Sequence, residues 1–253
     1  MVANLFLINH FKGDFMRFFV DMPLAVHDTI TLPDDVYHHW TKVLRANIGD
    51  SATLFNGQGG EYTATLTHID KKSAHVRIDD FNPTNRTLSY RVTLIQAMSK
   101  GERMDYTIQK ACEMGVSAIQ LITTERSERL RYERDNKKLA HWQKIAVSAC
   151  EQCGLNIIPA ILPPVALSDC LASCTDELKI VMSLADDVHR YTPKAPLPST
   201  IGILVGSEGG LSDDEIDECH KHGFLSWTIG ERILRTETAG VVALAGLQVV
   251  GVD

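Results

Sequence analysis

Near Ser89 the spacing of apolar residues changes, and that change divides the chain into two kinds of architecture. Before it the apolar runs are short and rich in β-branched and aromatic residues: Arg17 to Val20, Thr29 to Leu32, Ala52 to Asn56, Glu61 to Ile69 and Ala74 to Ile78. One helical stretch, Asp34 to Ala46, interrupts them. Asn56-Gly57-Gln58-Gly59-Gly60 joins two of the runs, and its glycines supply the positive φ that a hairpin turn requires. The pattern predicts a small β-barrel over residues 16–83, followed by a polar, Pro-containing linker from Asn82 to Arg86.

After Ser89 strands and helices alternate. Val92 to Ala97 reads as a buried strand, and Met104 to Glu113 places Met104, Ile108, Ala111 and Cys112 on one helix face. Gly115 stops that helix and Ala118 to Thr123 is a second strand, which together make a β-α-β unit. The alternation resumes with strands Lys179 to Leu184 and Ile201 to Gly206. A helix then opens at Ser212 with Glu215 three residues later, the spacing of a capping box. Strand Phe224 to Ile229 and an Ala-rich closing helix complete residues 87–253, which predicts an α/β domain with a mainly parallel sheet.

With 253 residues, 44% of them hydrophobic and 23% charged, the chain can bury one sizeable core or two modest ones. It contains no apolar run long enough to span a bilayer, so no membrane partner is expected and the reading is cytoplasmic. Residues 1–15 carry a short apolar patch, Val2 to Ile8, without a preceding basic residue or a following small-residue cleavage site. They read as an extension ahead of Met16, where translation is expected to begin.

The net charge of −7 argues against a generally basic nucleic-acid binder, yet the charge is unevenly spread. Arg86 to Lys144 holds twelve Lys/Arg against seven Asp/Glu, whereas Asp169 to Lys221 holds eleven acids against four bases. The first stretch could face phosphate. Arg126, Arg129, Arg131, Arg134, Lys137 and Lys138 interleave with Glu125, Glu128, Glu133 and Asp135, which is also what a solvated helix face looks like. Cys150 and Cys153 have C-x-x-C spacing, and Cys170 and Cys174 follow. Cys150 sits near the end of a helical pattern, not at a helix start, and Leu171-Ala172-Ser173 offers no turn for a zinc knuckle. These thiols are read as packing groups, with no metal.

In open α/β sheets ligands bind beyond the carboxyl ends of the strands, which directs attention to the loops there. Gly206-Ser207-Glu208-Gly209-Gly210 brings backbone N–H groups close to a ligand just before a helix. It lacks the lysine of a nucleotide P-loop, and Glu208 would repel phosphate; a carboxylate there suits ribose hydroxyls or a cationic ligand. The run Ile229-Gly230-Glu231-Arg232-Ile233-Leu234-Arg235-Thr236-Glu237-Thr238 joins a strand to the last helix. Its bland reading is an Arg235–Glu237 pair with Thr236 or Thr238 as helix cap. Ile233 and Leu234 suggest a segment folded inward. A third candidate is Glu151-Gln152-Cys153-Gly154, at a helix end.

Together with Val43-Leu44-Arg45, Gly49-Asp50, Lys100-Gly101-Glu102-Arg103-Met104, Ile108-Gln109-Lys110 and Glu113-Met114-Gly115-Val116, these segments resemble the RsmE family of SPOUT-class methyltransferases. Members make N3-methyluridine in 16S ribosomal RNA. The resemblance runs from Met16 almost to the end, and its specificity lies in the order, spacing and number of matches. It implies a PUA-like barrel that helps hold RNA, then a SPOUT domain tied in a trefoil knot, S-adenosylmethionine as cofactor and a homodimer. The cofactor loops map to Ser183 and Leu184, to Gly206 through Gly210, and to Ile229, Gly230, Ile233, Leu234, Thr236 and Thr238. RNA contacts are expected from Arg17, Arg45, Lys100, Arg103, Arg126 and Arg129. The chain departs from the family where many relatives carry Arg-x-Arg and it has Leu155-Asn156-Ile157, and where Ser207 and Glu231 replace common prolines.

Uracil N3 must lose its proton for methyl transfer, and the charge spreads onto two ring carbonyl oxygens. A fixed guanidinium, from Arg232 or Arg235, is expected to stabilise it, with Glu237 or Glu151 as proton acceptor or orienter. The competing readings are a SPOUT enzyme acting at another RNA position or on a ribose hydroxyl, a catalytically silent RNA-binding or assembly factor, and a nucleotide hydrolase.

Overall fold

A computed structural model describes residues 16–127, 132–184 and 188–251; the expected extension 1–15 and Arg129 lie outside them. The chain divides into two compact units. One runs up to Arg86 and includes Glu151–Ile157; the other holds Thr87–Cys150 and Ile158 onward.

The first unit carries a five-stranded sheet of β1 (Arg17–Phe19), β2 (Thr29–Thr31), β3 (Ser51–Phe55), β4 (Glu61–Ile69) and β5 (Ala74–Asn82), in the order β1-β3-β4-β5-β2. β1 runs parallel to β3 and the remaining pairs are antiparallel. The glycine hairpin forms between β3 and β4, with Gly57, Gly59 and Gly60 at φ of 80°, 90° and 68°. At Gly60 a Cβ would collide with the Phe81 ring, so both the backbone angle and the space demand glycine there. The expected helix starts at Asp34 but stops early. α1 (Asp34–Tyr37) widens into a π-helical turn, His38–Val43, in which Leu44 N–H reaches back five residues to His39 O at 2.9 Å. That turn buries Trp40 among Phe18, Leu54, Leu66 and Ile78, and the left-handed Arg45 (φ 58°) ends it.

The second unit is built on β6 (Arg91–Ala97), β7 (Ala118–Thr123), β8 (Ala160–Ala166), β9 (Leu178–Val181), β10 (Thr200–Val205) and β11 (Leu225–Ser226). All pairs are parallel, in the order β11-β9-β10-β6-β7-β8. Its helices are α2 (Glu102–Glu113), α3 (Tyr132–Cys153), α4 (Leu167–Ser173), α5 (Asp213–Lys221) and α6 (Thr236–Gly251). The predicted apolar face of α2, Met104, Ile108, Ala111 and Cys112, is buried in the core of the unit, where α2 packs beside α6, and fully burying a Met or Ile side chain contributes roughly 1.5–3 kcal/mol. Gly240 of α6 allows the helix to approach Leu94 closely, since a Cβ there would sit 3.2 Å from the leucine Cδ1. Ser212 and Glu215 form the expected capping box.

The structure differs from expectation in several places. β8 carries Pro163 and Pro164, so its sequence lacks a strand signature; it lies at the sheet edge, and its register against β7 shifts beside the two prolines. α4 buries Leu167, Cys170 and Leu171 with helical spacing where only a cysteine pair had been considered. The strands predicted over Lys179 to Leu184 and Phe224 to Ile229 end at Val181 and Ser226, and the residues beyond them become loops. Burial pushes the Cys170 thiol up to about 11 and the Cys219 thiol up to about 12, values of inert packing thiols.

Candidate functional site

The loops that leave β9, β10 and β11 converge on a cavity of about 1160 Å³ in the second unit. Met182, Ser183 and Leu184 line one side, and Gly206, Ser207, Glu208 and Gly210 another. Ile229 through Glu237 form a third wall. Asp213, Ile216, Asp217 and His220, one face of α5 at helical spacing, form a fourth. All three loops expected to hold the cofactor therefore meet in one place.

The glycine loop is held by its carbonyls. Thr236 Oγ1 donates to Gly206 O at 2.5 Å and accepts from the Nε2 of the buried Gln96 at 3.0 Å. Arg126 Nη1 donates to Gly209 O at 3.0 Å, and Ser207 Oγ donates to Arg126 O at 3.0 Å. Gly210 closes the turn with φ of 71° and an N–H bond to Ser207 O. At Gly206 a Cβ would lie 3.1 Å from the Gly210 carbonyl carbon and the Leu211 nitrogen, so a side chain there would meet backbone. Arg126, expected to face RNA, thus has its guanidinium engaged with the loop, and Thr236 spends its hydroxyl on Gly206 rather than on capping α6.

Glu208 is already occupied. Its Oε1 accepts from Arg103 Nη1 at 2.7 Å and from Lys100 N–H at 3.0 Å, which ties the glycine loop to the start of α2. Burial would raise its carboxyl, but these bonds outweigh burial and hold it below the usual value. Both of these bonds fall on Oε1, and the carboxylate remains part of the cavity lining.

In the last loop Ile233 is 100% exposed, against the expectation of an inward-folded segment; Leu234 alone turns in and packs on the core. Arg232 and Arg235 are exposed as well. Glu237 has a side chain only 14% exposed, with Arg235 Nη1 4.0 Å from its Oε1 and Arg103 Nε 3.8 Å from its Oε2. That Oε2 is buried without a hydrogen-bond partner. Ser183 is fixed from below: its Oγ lies 2.6 Å from Ser226 Oγ, which lies 2.9 Å from His220 Nε2, and Thr228 Oγ1 donates to Ser183 O at 2.9 Å. Sequence reasoning missed Gln96, His220 and Ser226. Of these only His220 carried a signal, its position seven residues after Asp213 on one helix face.

The remaining candidates belong to the first unit, apart from Lys100, which is exposed at the start of α2. Arg17 is 7% exposed, with Nη1 on Glu61 Oε2 at 2.5 Å and Nη2 on Asn156 Oδ1 at 2.7 Å. Its charge is held inside the unit and not offered to phosphate. Asn156, in the segment where cations were expected, is buried and also donates to Thr84 O at 2.9 Å. Glu151 accepts from Phe19 N–H at 3.0 Å within the first unit, and burial pushes its carboxyl up. Arg45 is exposed. Among the described residues no group of three or more His, Cys, Asp or Glu is placed to hold a metal.

Residues 86–248 match the family model of an RNA methyltransferase domain, and residues 32–79 that of an RNA methyltransferase PUA domain. Ribosomal RNA small subunit methyltransferase E of Buchnera aphidicola subsp. Acyrthosiphon pisum is 35% identical over 92% of this chain and 92% of its own length. A crystal structure of ribosomal RNA small subunit methyltransferase E from Neisseria gonorrhoeae bound to S-adenosyl methionine is 38% identical, with a TM-score of 0.86, over 93% of this chain and 97% of that one. A Legionella pneumophila methyltransferase solved with the bound cofactor SAM is 36% identical, with a TM-score of 0.88, over 95% of this chain and 100% of that one. Matching along almost its whole length, the chain belongs to the ribosomal RNA small subunit methyltransferase E family.

Proposed function

We propose that the protein transfers a methyl group from S-adenosylmethionine to N3 of a uridine in 16S ribosomal RNA of the small subunit, in the cytoplasm. The observation that carries this reading is the convergence of three loops on one cavity at the carboxyl ends of β9, β10 and β11. Its volume is of the size that holds a small ligand with room for a substrate group. The cofactor fits there because Gly206 lets the loop fold tightly against Gly210 and Leu211, and because the glycine-loop carbonyls are turned onto Thr236 and Arg126. When bound, S-adenosylmethionine supplies an electrophilic methyl group on a sulfonium sulfur.

The chain's own groups then handle the substrate. Glu237, whose partly exposed carboxylate lines the cavity, accepts the N3 proton. Arg232 or Arg235 stabilises the negative charge that spreads onto the uracil oxygens. Glu151, bonded to Phe19 N–H, serves the first unit as an orienting group. The walls keep donor and acceptor at near-attack distance.

Residues 16–83 are assigned to a PUA-like barrel that helps hold RNA, and residues 87–253 to a SPOUT domain with a trefoil knot. A homodimer follows the family resemblance and suits the exposure of Ile233, Leu184 and Val188 around the site loops. The test is incubation with labelled S-adenosylmethionine and unmethylated 30S subunits, followed by nucleoside mass spectrometry. N3-methyluridine in the digest is the expected product. A different methylated nucleoside, or none despite cofactor binding, would refute the assignment.

A further inference from the structure

Arg103 had been read from the sequence as an RNA contact, but its surroundings argue otherwise. Its Nη1 lies 2.7 Å from Glu208 Oε1 and its Nε lies 3.8 Å from Glu237 Oε2. The guanidinium is thus engaged by two carboxylates, one of which also has Arg235 at 4.0 Å, so it is not an unpaired cation held out for phosphate. Arg103 stands in the first turn of α2, whose dipole Glu102 and Asp105 already complement, so its guanidinium is free to reach across to other elements. The two carboxylates it meets come from walls of the cavity: Glu208 from the glycine loop, Glu237 from the first turn of α6.

We infer that Arg103 is a positioning residue of the transfer reaction, holding Glu208 and Glu237 in fixed mutual orientation beside the cavity. The inference rests on the proposed function. The contact with Glu208 is a hydrogen-bonded ion pair, so it fixes the guanidinium. The contact with Glu237 is longer, so it compensates charge without taking up Oε2 in a hydrogen bond. Arg103 is 44% exposed, and its attachment to Glu208 keeps the exposed head from swinging away. With Thr236 bonded to Gly206, the same two walls are joined twice, once through the Thr236 hydroxyl and once through Arg103.

The test compares Arg103→Ala, Arg103→Lys and Glu208→Gln with the wild-type protein on 30S subunits, between about 50 and about 200 mM salt. Thermal melting checks folding, calorimetry gives cofactor affinity, and kcat and KM are separated. For Arg103→Ala the expected result is a kcat lower by about 30-fold with KM for 30S within about threefold, and an unchanged salt slope. Arg103→Lys should recover part of the kcat. Glu208→Gln should show a related loss that adds little to Arg103→Ala in the double variant, because the two act as one unit. Should Arg103→Ala instead melt as a misfolded protein, Arg103→Lys and Glu208→Gln carry the same comparison. A raised KM with unchanged kcat and a salt slope reduced by about one would make Arg103 a phosphate contact and overturn the inference. Unchanged kcat and KM would overturn it too. If the wild-type protein formed no N3-methyluridine, the functional reading would fall and take this inference with it; normal wild-type turnover isolates the failure to Arg103.

Discussion

Thr236 Oγ1 donates to Gly206 O at 2.5 Å while accepting from Gln96 Nε2 at 3.0 Å. The first residue of α6 thus holds the glycine loop, and a side chain buried on β6 holds that residue in turn. The hydroxyl is irreplaceable by an apolar isostere, because its loss strands a buried donor and weakens the hold on a carbonyl at once.

Thr236→Val should cost roughly 1–3 kcal/mol of stability, since buried polar groups lose their partners. It should also lower cofactor affinity by about tenfold or more, whereas Thr236→Ser, which keeps the oxygen, should stay near the wild type. Calorimetric titration with S-adenosylmethionine and thermal melting of the three proteins decide it.

Gly206→Ala places a methyl 3.1 Å from the Gly210 carbonyl carbon and the Leu211 nitrogen, backbone atoms that cannot swing aside. The loop must shift, and the cavity wall with it. Turnover on 30S subunits should fall at least about tenfold at saturating RNA, because misplacement by about 1 Å can cost about 100-fold. Wild-type kinetics in this variant would show that the loop does not need its observed path.

Glu61 receives Arg17 Nη1 at 2.5 Å and Arg86 Nη1 at 2.9 Å. Burial alone would raise its carboxyl, but the bonds from Arg86 and Arg17 outweigh burial and lower it from 4.5. A depressed carboxylate stabilises the fold above the unfolded value and loses that contribution as pH falls through the folded value. Melting temperature should therefore drop as pH is lowered from about 5 to about 3. Glu61→Gln should be less stable by about 3 kcal/mol at neutral pH, leaving Arg17 buried without its partner, and should show a flatter acid profile.

Glu237→Gln and Glu151→Gln separate two carboxylates. The first should lower kcat by about 100-fold or more, the loss of a general base. Glu151→Gln keeps an oxygen for Phe19 N–H, bonded at 3.0 Å, and removes a charge that burial disfavours. A carboxyl raised by burial contributes stability at low pH and loses it as pH rises through its folded value, so this variant should be as stable as the wild type, or more so, at neutral pH. Turnover close to wild type would accompany it. Reversal of the two kinetic results would exchange their roles.

Much of the fold was legible because burial wrote itself into local spacing. β4 and β7 match the runs Glu61 to Ile69 and Ala118 to Thr123, and α5 begins at its capping box. Where the reading fell short, the deciding partner lay far along the chain. The strand expected over Phe224 to Ile229 alternates correctly, but Trp227 N–H meets Val181 O at the end of β9 and no pairing continues past it. β8 hid behind its prolines. At the candidate site the loops were visible as glycines and charges, whereas the partners of Arg17 and Arg126 could not be, since Glu61 and Gly209 are reached only through tertiary folding. Gln96 looked like one more residue of a buried strand.

Pro163 and Pro164 sit on β8, at one edge of the second unit's sheet, while the opposite edge strand, β11, is two residues long. A foreign strand approaching β8 finds two positions without an N–H to donate, and at β11 the Ser226 N–H and carbonyl are already bonded to His189 O and Tyr191 N–H. The sheet of the second unit is thus poorly suited to act as a template for strand addition, even though its interior strands are long, apolar and β-branched. Copies of this unit that associate must do so through side chains on helices and loops, which lets specificity and not backbone stickiness choose the partner.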